Sequence, residues 1–380
     1  MKQGSGTFPL MLLLLALGAQ TLIVELTIPR MIAPVFGNTL FSWTAIIAVV
    51  LISLTAGYRL GGYLASSNKN IIKMISLISV CAAVWVLLLA LTGDVVVKKL
   101  SFLNMMFGPL VAATILAAVP AFLDAVVVPM AIQLRPEDPG ESSGICFAWS
   151  TVGSIFGVLL TGYVLLPQLG ISGALITGVV MVSAALLLLG KRGLFAMTVI
   201  AIVTTIVISN LQASQYLFDK SNGYHRIRVT QAGTDIRSLY LDNTLESQIR
   251  LGTDIPVSGY YLSAKQVFDL MTEFDRAFFI GGGAFSIPRY LKSLHPETEV
   301  VAAEIDRDVV QVSRDLMELP ETIKVQIGDG RKVLEEETGR FDLIVNDAFH
   351  GIRNMPFHLT THEFNEIVAG KLAKTGIYAM

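Results

Sequence analysis

Long apolar runs fill the first half of the sequence and constrain the fold more than any other feature. A bilayer core about 30 Å thick is crossed by a helix of roughly 20 apolar residues. Seven runs come close to that length, near residues 8–28, 40–60, 71–92, 108–133, 145–166, 171–190 and 194–210. The sequence therefore predicts a multi-pass bundle of about seven transmembrane helices over residues 1–212.

The charged residues divide the chain at the same place. Residues 1–212 hold 16 charged side chains, whereas residues 213–380 hold 42. The low charge density of the first part excludes a purely soluble protein, and the net charge of −2 offers no basic surface to a nucleic acid. Cys81 and Cys146 both lie in apolar runs and form no metal-binding pattern. We therefore expect an integral protein of the cell or inner membrane, with the lipid bilayer as a partner and with neither metal nor nucleic acid.

The orientation of the chain depends on the number of spans. Residues 100–134 contain three prolines and fit either one broken helix or two short ones. Seven spans and the positive-inside rule place the soluble part outside, whereas eight spans reverse that result. We take the cytoplasm as the working location of the soluble part and leave the sidedness open.

A few polar or small residues stand out within the apolar runs. Glu25 and Asp124 are ionisable, and a charge in hydrocarbon is expensive enough to mark a candidate functional site. Asp124 lies between two prolines and predicts either a proton or cation site or a neutral acid at a kink. Gly153 and Gly157 form a small-xxx-small pattern, which predicts a face where two helices pack closely.

The pattern changes to short segments after residue 212. Residues 224–231, 236–242 and 246–251 predict antiparallel strands in a small β unit that spans residues 213–262. From residue 263 a helix leads into strands that alternate with helices, which predicts a doubly wound parallel sheet of the Rossmann-like type. The last predicted strand, 376–380, reaches the end of the chain. We therefore expect an α/β domain over residues 263–380 that is truncated at its C-terminus.

Glycines and acids follow the predicted parallel strands, where such sheets bind ligands. Gly281, Gly282 and Gly283 follow the first strand and let a ligand approach the backbone closely. Glu304 ends the second strand, 21 residues after Gly283, at the spacing of a carboxylate that accepts ribose hydroxyls. Asp329 follows the third strand and can accept a hydrogen bond from an adenine amine. Together these residues predict an adenosine-containing ligand.

These motifs resemble those of spermidine synthase. The resemblance rests on the three glycines, on Glu-Ile-Asp at 304–306, on Gly-Asp-Gly at 328–330 and on Phe-Asp-Leu-Ile-Val-Asn-Asp at 341–347. The hairpin segment 241–243 also fits that family. With the apolar half included, the whole chain is similar to membrane-fused spermidine synthase-like (polyamine aminopropyltransferase-like) proteins, and segments 165–170 and 352–360 fit that branch.

The resemblance implies a domain of the class I methyltransferase type that binds S-adenosylmethionine, or its decarboxylated form, as a substrate and uses no metal. Asp347 would be the catalytic base that takes a proton from an attacking amine, which makes a polyamine the expected partner. The residues implied to hold the nucleoside are Gly281, Gly282, Gly283, Glu304, Asp306, Asp329 and Gly330.

The chain departs from the family pattern mainly where the amine binds. The family's Asp-Gly after the three glycines is Ala284-Phe285 here, which removes a carboxylate that would bind an ammonium group. His350 replaces an acid and is either a second catalytic group or a loop residue that faces water. Tyr260 and Tyr261 take positions that line a substrate pocket or pack against the sheet.

Two further positions belong with these departures. Glu246 takes the position of a hairpin glutamine and is a candidate to bind the substrate. His358 is expected to pack or to cap its loop.

Three functions remain open on the sequence. The first is aminopropyl transfer to an amine with Asp347 as the base. The second keeps the ligand and changes the reaction to methyl transfer, or to cleavage of S-adenosylmethionine that releases methylthioadenosine. The third is a transporter or sensor with a regulatory nucleoside-binding domain, and a homo-oligomer is also left open.

Overall fold

The computed structural model describes residues 7–67, 70–135, 137–213, 216–242, 244–255, 257, 268, 275–348 and 355–380. The chain divides into two compact units. The first comprises Met1–Ala213 with Ser221–Gly223, and the second comprises Ser214–Lys220 with Tyr224–Met380.

The part of the first unit up to Ala213 consists of helices joined by short turns. Its helices are α1 (Thr7–Phe36), α2 (Leu40–Ser67), α3 (Ile71–Lys99), α4 (Gly108–Gln133), α5 (Pro139–Leu160), α6 (Leu166–Leu188) and α7 (Arg192–Ala213), with a π-helical turn, Thr161–Leu165, between α5 and α6. Residues 100–134 therefore contain one helix, α4, in which Pro109 lies in the first turn and Pro120 and Pro129 lie inside. The alternative of two short helices in this segment is wrong.

The number of apolar helices also differs from the prediction. Six helices of the described chain are long and apolar enough to cross a membrane, rather than seven. The numbers differ because the predicted runs 145–166 and 171–190 are counted together in one stretch, Pro139–Leu188. Gly170 interrupts this stretch with a non-helical φ of 66°, which glycine adopts at no steric cost.

Helix α5 packs against α1 through small residues. A Cβ atom on Gly153 would lie 2.0 Å from the carbonyl oxygen of Leu15, and one on Gly157 would lie 2.6 Å from that of Ala19. Only glycine lets the two backbones come this close. The predicted packing role of Gly153 and Gly157 is confirmed.

The second unit begins with a four-stranded antiparallel sheet in the order β1-β2-β3-β4. Its strands are β1 (Phe218–Ser221), β2 (Arg226–Ala232), β3 (Ile236–Leu241) and β4 (Thr244–Arg250). The three predicted strands are confirmed, and β1 was not predicted. The helix predicted over residues 263–273 lies outside the described residues apart from Phe268.

A parallel five-stranded sheet follows in the order β7-β6-β5-β8-β9. Its strands are β5 (Arg276–Ile280), β6 (Glu299–Glu304), β7 (Lys324–Ile327), β8 (Phe341–Asn346) and β9 (Leu372–Ala379). Its helices are α8 (Ser286–Leu294), α9 (Arg307–Leu316), α10 (Gly330–Glu336) and α11 (His362–Lys371), with a 3-10 turn, Phe357–Leu359, before α11. The predicted Rossmann-like alternation is confirmed.

Both faces of the parallel sheet are covered by helices. Ala277 and Phe279 of β5 belong to an apolar cluster with residues of α8 and α9, whereas Phe278 and Ile280 belong to a cluster with residues of α10 and α11. Successive side chains of a strand point to opposite faces, so a strand covered on both sides is apolar at every position. The carboxyl ends of the strands remain as the edge where a ligand can bind.

Candidate active site

The ends of β5 and β8 come together at the first glycine. The backbone N–H of Asp347 donates to the carbonyl oxygen of Ile280 at 2.8 Å. A Cβ atom on Gly281 would lie 2.7 Å from the carbonyl oxygen of Asp347, and Gly281 has a φ of 89°. Glycine is therefore required here both by the conformation and by the close approach that places Asp347 beside the glycine turn.

Glu304 is fixed by two backbone donors at the end of β6. The N–H of Gly282 donates to Oε2 and the N–H of Asp306 donates to Oε1, both at 2.9 Å. Burial raises the pKa of Glu304, and these two N–H groups oppose that shift. Each carboxylate oxygen keeps a second lone pair, so Glu304 is held in a position from which it can accept further hydrogen bonds.

The other two glycines of the turn have different roles. A Cβ atom on Gly282 would lie 2.4 Å from the ring of Phe285, so a side chain at Gly282 is excluded by packing. Gly283 has a φ of 48° and open space where its Cβ atom would lie. Phe285 itself has a φ of 55°, which is unusual for a bulky residue and lets the turn close with its ring buried. The space at Gly283 is the part of the turn that a ligand can approach.

Asp329 caps α10 and is paired with His358. Its Oδ1 accepts from the N–H of Lys332 at 3.1 Å, and its Oδ2 lies 2.8 Å from Nε2 of His358. His358 was expected to pack or to cap its loop, and the structure places its ring on the predicted adenine-binding carboxylate instead. A Cβ atom on Gly330 would lie 2.4 Å from Cγ2 of Ile280, so this glycine lets α10 pack against β5.

Asp306 is the cap of α9. Its Oδ1 accepts from the N–H of Asp308 at 2.9 Å, and the residue is buried. This capping bond satisfies a helix donor that would otherwise have no partner. The capping role accounts for an aspartate at this position, and a role in binding the nucleoside stays a prediction.

Glu246 of β4 belongs to an acidic cluster. Burial raises the pKa of Glu246 to about 7, and the charges of Asp347, Glu304 and Asp242 raise it further, whereas His225 lowers it. The antiparallel sheet therefore brings Glu246 into the field of the acids at the ends of β6 and β8. We refer to Asp242, Glu246, Glu304 and Asp347 as the acidic cluster.

His225 and Asp242 were not predicted as site residues. Nδ1 of His225 lies 3.1 Å from Oδ2 of Asp242, whose Oδ1 accepts from the N–H of Arg226 at 3.0 Å. Burial alone would lower the pKa of His225, but the bond to Asp242 and the charges of Asp242, Asp306 and Glu304 outweigh it and raise the pKa. The sequence feature that could have identified this pair is the position of His225 and Asp242 at the ends of two strands that pair.

Ala284 has become part of the hydrophobic core. It is buried in an apolar cluster with Ile227 and Val229 of β2 and with Val309 of α9. A carboxylate at position 284 would lie among aliphatic side chains. The glycine turn therefore lacks the acid that would bind an ammonium group in the family pattern. The acids of the cluster supply negative charge from β4 and from the loop after β3.

Three predicted site residues lie outside the described part of the chain. They are Tyr260, Tyr261 and His350.

Comparisons with known proteins agree with the motifs. No protein-family model matches the chain. It is 27% identical over 159 residues to a polyamine aminopropyltransferase of Chromobacterium violaceum, covering 40% of this chain and 59% of the relative. It is 28% identical over 118 residues to a probable polyamine aminopropyl transferase of Bifidobacterium longum, covering 31% of this chain and 26% of the relative.

A solved structure of a probable spermidine synthase from Corynebacterium glutamicum is 26% identical, with a TM-score of 0.40, and covers 43% of this chain and 62% of that chain. The chain thus spans less than two thirds of the length of each of these proteins. The expected resemblance is confirmed: the chain is similar in sequence to polyamine aminopropyltransferases.

Proposed function

We propose that the chain is a membrane-integrated transferase of the spermidine synthase type. It binds decarboxylated S-adenosylmethionine and transfers the aminopropyl group of this substrate to an amine, with a polyamine as the expected acceptor class. The observation that carries the proposal is the acidic cluster beside the glycine turn.

The acidic cluster favours a cationic substrate. Burial is the main cause of the raised pKa of Glu246, and the charges of Asp347, Glu304 and Asp242 raise it further against the opposing charge of His225. A site with this field attracts an ammonium group and repels a carboxylate. Decarboxylated S-adenosylmethionine carries an ammonium group at the end of its aminopropyl chain, whereas S-adenosylmethionine also carries a carboxylate. The charge of the site therefore supports the decarboxylated form.

The nucleoside is held by the groups fixed at the ends of β5, β6 and β7. Glu304, anchored by two backbone N–H groups, accepts the ribose hydroxyls with its remaining lone pairs. Asp329 accepts the exocyclic amine of adenine while it keeps its bond to His358. The open space at Gly283 leaves room for the ligand beside the turn.

Asp347 acts as the base. The amine nitrogen attacks the aminopropyl carbon next to the sulfonium, the C–S bond breaks, and its electron pair goes to sulfur to give methylthioadenosine. The proton lost by the amine goes to the carboxylate of Asp347, which β8 holds next to the glycine turn through a 2.8 Å backbone bond. Since the sulfonium is a good leaving group, positioning supplies most of the remaining rate enhancement.

The six apolar helices support an integral membrane location. Resistance to extraction by alkaline carbonate tests the integration, and a reporter fused to the C-terminus of the chain tests the cytoplasmic location of the second unit. The integration is contradicted if the chain is recovered in the soluble fraction.

Ala284 favours a second candidate function. Without an acid at this position, the site loses one group that would discriminate against the carboxylate of S-adenosylmethionine. The alternative reaction is methyl transfer from S-adenosylmethionine, or its cleavage to methylthioadenosine without an amine acceptor.

Product identification by mass spectrometry distinguishes these reactions. The purified chain is incubated with decarboxylated or intact S-adenosylmethionine, with and without putrescine or spermidine. Methylthioadenosine together with an amine that is longer by one aminopropyl group supports the proposal. S-adenosylhomocysteine, or methylthioadenosine without a longer amine, supports the alternative.

Asp347→Asn tests the assigned base. Loss of a general base lowers turnover by roughly 10²- to 10⁴-fold while the nucleoside still binds. Asp315→Asn, which changes an exposed aspartate of α9, is the matched control. If Asp347→Asn turns over like the wild type, Asp347 is not the base.

A further inference from the structure

Asp124 is an acid buried inside the helical bundle. It lies on α4 and is 4% exposed, and it faces Gln20 and Thr21 of α1, which are buried as well. In the described part of the chain no basic side chain is hydrogen-bonded or ion-paired to it; its side-chain contacts are with Gln20 and Thr21. An ionised carboxylate without a cation in such surroundings is strongly disfavoured.

The hydroxyl of Thr21 lies within hydrogen-bond distance of two oxygens but carries one proton. Oγ1 of Thr21 lies 3.0 Å from Oδ2 of Asp124 and also 3.0 Å from the carbonyl oxygen of Leu17. Each of these oxygen pairs needs one proton to form a linear bond, but the hydroxyl carries a single proton. The carbonyl oxygen has none to give, so both pairs are bonded at once when Asp124 supplies the second proton.

Gln20 provides a second acceptor for the same proton. Its Nε2 lies 3.4 Å from both carboxyl oxygens of Asp124, and its Oε1 is buried without a hydrogen-bond partner among the described residues. The two ends of a side-chain amide are interchangeable by a half-turn. After this turn Oε1 faces the carboxyl group and accepts its proton, while the Nε2 amide takes the buried position that Oε1 had before.

We propose that Asp124, Thr21 and Gln20 form a proton-binding site inside the bundle. Asp124 carries the proton as a neutral carboxylic acid and donates it to Oγ1 of Thr21, which in turn donates to the carbonyl oxygen of Leu17. Oε1 of Gln20 is a second acceptor for the proton of Asp124. The ligand is a proton rather than a metal cation, because the oxygens are already spaced as direct hydrogen-bond partners. This site is independent of the transferase reaction.

Infrared spectroscopy of the purified full chain, labelled with ¹³C in the aspartate carboxyl groups, tests this site. At neutral pH the wild type should show the C=O stretch of a protonated carboxyl group, equivalent to one group per chain. The band should be absent from Asp124→Asn, which keeps the shape of the side chain. Asp94→Asn, which changes an aspartate of α3, is the matched control and should retain the band.

Thr21→Val provides a readout that does not depend on the folding of the Asp124 variant. It removes the hydroxyl acceptor, so the band should persist and move to a higher frequency because its hydrogen bond is weaker. The proposal is overturned if the wild type has no such band and Asp124→Asn removes carboxylate bands instead. It is also overturned if replacing choline chloride with sodium chloride shifts the bands of Asp124, since the site would then bind sodium ions.

Discussion

Glu246 is held where its charge is disfavoured. Its pKa is about 7, against 4.5 for an ordinary glutamate. Between these two values the folded chain holds a proton that the unfolded chain has released, so the free energy of unfolding falls as pH rises through this window. An acid whose charged form is disfavoured at neutral pH is typical of a binding site.

Glu246→Gln should therefore stabilise the free chain above pH 7. We expect a gain on the order of 2–3 kcal/mol at pH 8, which vanishes as pH falls towards 4.5, because each pKa unit is worth about 1.4 kcal/mol. Calorimetric unfolding in detergent at both ends of the window measures the difference. Glu321→Gln, which changes an exposed glutamate, should show no such dependence. A loss of stability in Glu246→Gln at pH 8 would show that its surroundings stabilise the charged carboxylate.

Asp329 should determine the preference for adenine. In Asp329→Asn the side chain still caps α10, but the negative acceptor for an exocyclic amine is lost. Hydrogen bonds to charged groups contribute about 1.5–3 kcal/mol, so the affinity for methylthioadenosine should fall roughly ten- to a hundred-fold. Calorimetric titration with methylthioadenosine and methylthioinosine gives both affinities, and the inosine form should lose little. If the affinities for both nucleosides fall equally, Asp329 does not recognise the adenine amine.

The residues of the site were predictable where they follow parallel strands. Glu304, Asp329 and Asp347 end or follow consecutive strands of the alternating pattern, and parallel strands bring such ends to one edge of a sheet. The pairing of His225 with Asp242 depends on the register of β2 and β3, which spacing along the chain does not specify. The sequence shows that an acid of the family pattern is replaced at Ala284. It does not show that Ala284 is buried against β2, because this depends on how the two sheets pack.

At the scale of the elements, the contact between α1 and α5 is limited by backbone approach. The Cβ atom of an alanine at position 153 would lie within 3 Å of three backbone atoms of Leu15, which cannot rotate away. The helices must then separate. Small residues at such contacts therefore determine how the bundle packs.

Gly153→Ala should destabilise the bundle by about 1–3 kcal/mol, the usual cost of overpacking. Gly144→Ala is the matched control in the same helix, because a Cβ atom there meets nothing within 4 Å. The control should be neutral or more stable by about 0.5–1 kcal/mol, since alanine favours helix over glycine. Thermal unfolding in detergent compares the two variants. The contact between α1 and α5 is not limiting if both behave alike.

The elements themselves were predicted with two kinds of error. Hydrophobic runs located the helices but did not reveal that Pro139–Leu188 forms one helical stretch with a π-helical turn at Thr161–Leu165 and a kink at Gly170. The conformation of Gly170 decides whether this stretch is counted as one helix or two, and hydropathy carries no information about φ. Strand β1 has only four residues and a mixed pattern, so its pairing with β2 was not evident from the sequence.

At the scale of the whole molecule, two units suited to different surroundings share one chain. The first has apolar helices with few charges, and the second has a parallel sheet with an acidic site at its carboxyl edge. The central claim concerns that site: its negative field, built from β4 and from the ends of β6 and β8, replaces the acid lost at Ala284 and selects a cationic substrate.

The ratio of kcat/KM for decarboxylated over intact S-adenosylmethionine, measured with the purified chain and a saturating polyamine, tests this claim most directly. Because placing like charges together costs several kcal/mol, we predict a ratio of about 100 or more in favour of the decarboxylated substrate. Glu246→Gln should reduce this ratio. A ratio near one, or a preference for intact S-adenosylmethionine, would contradict the account.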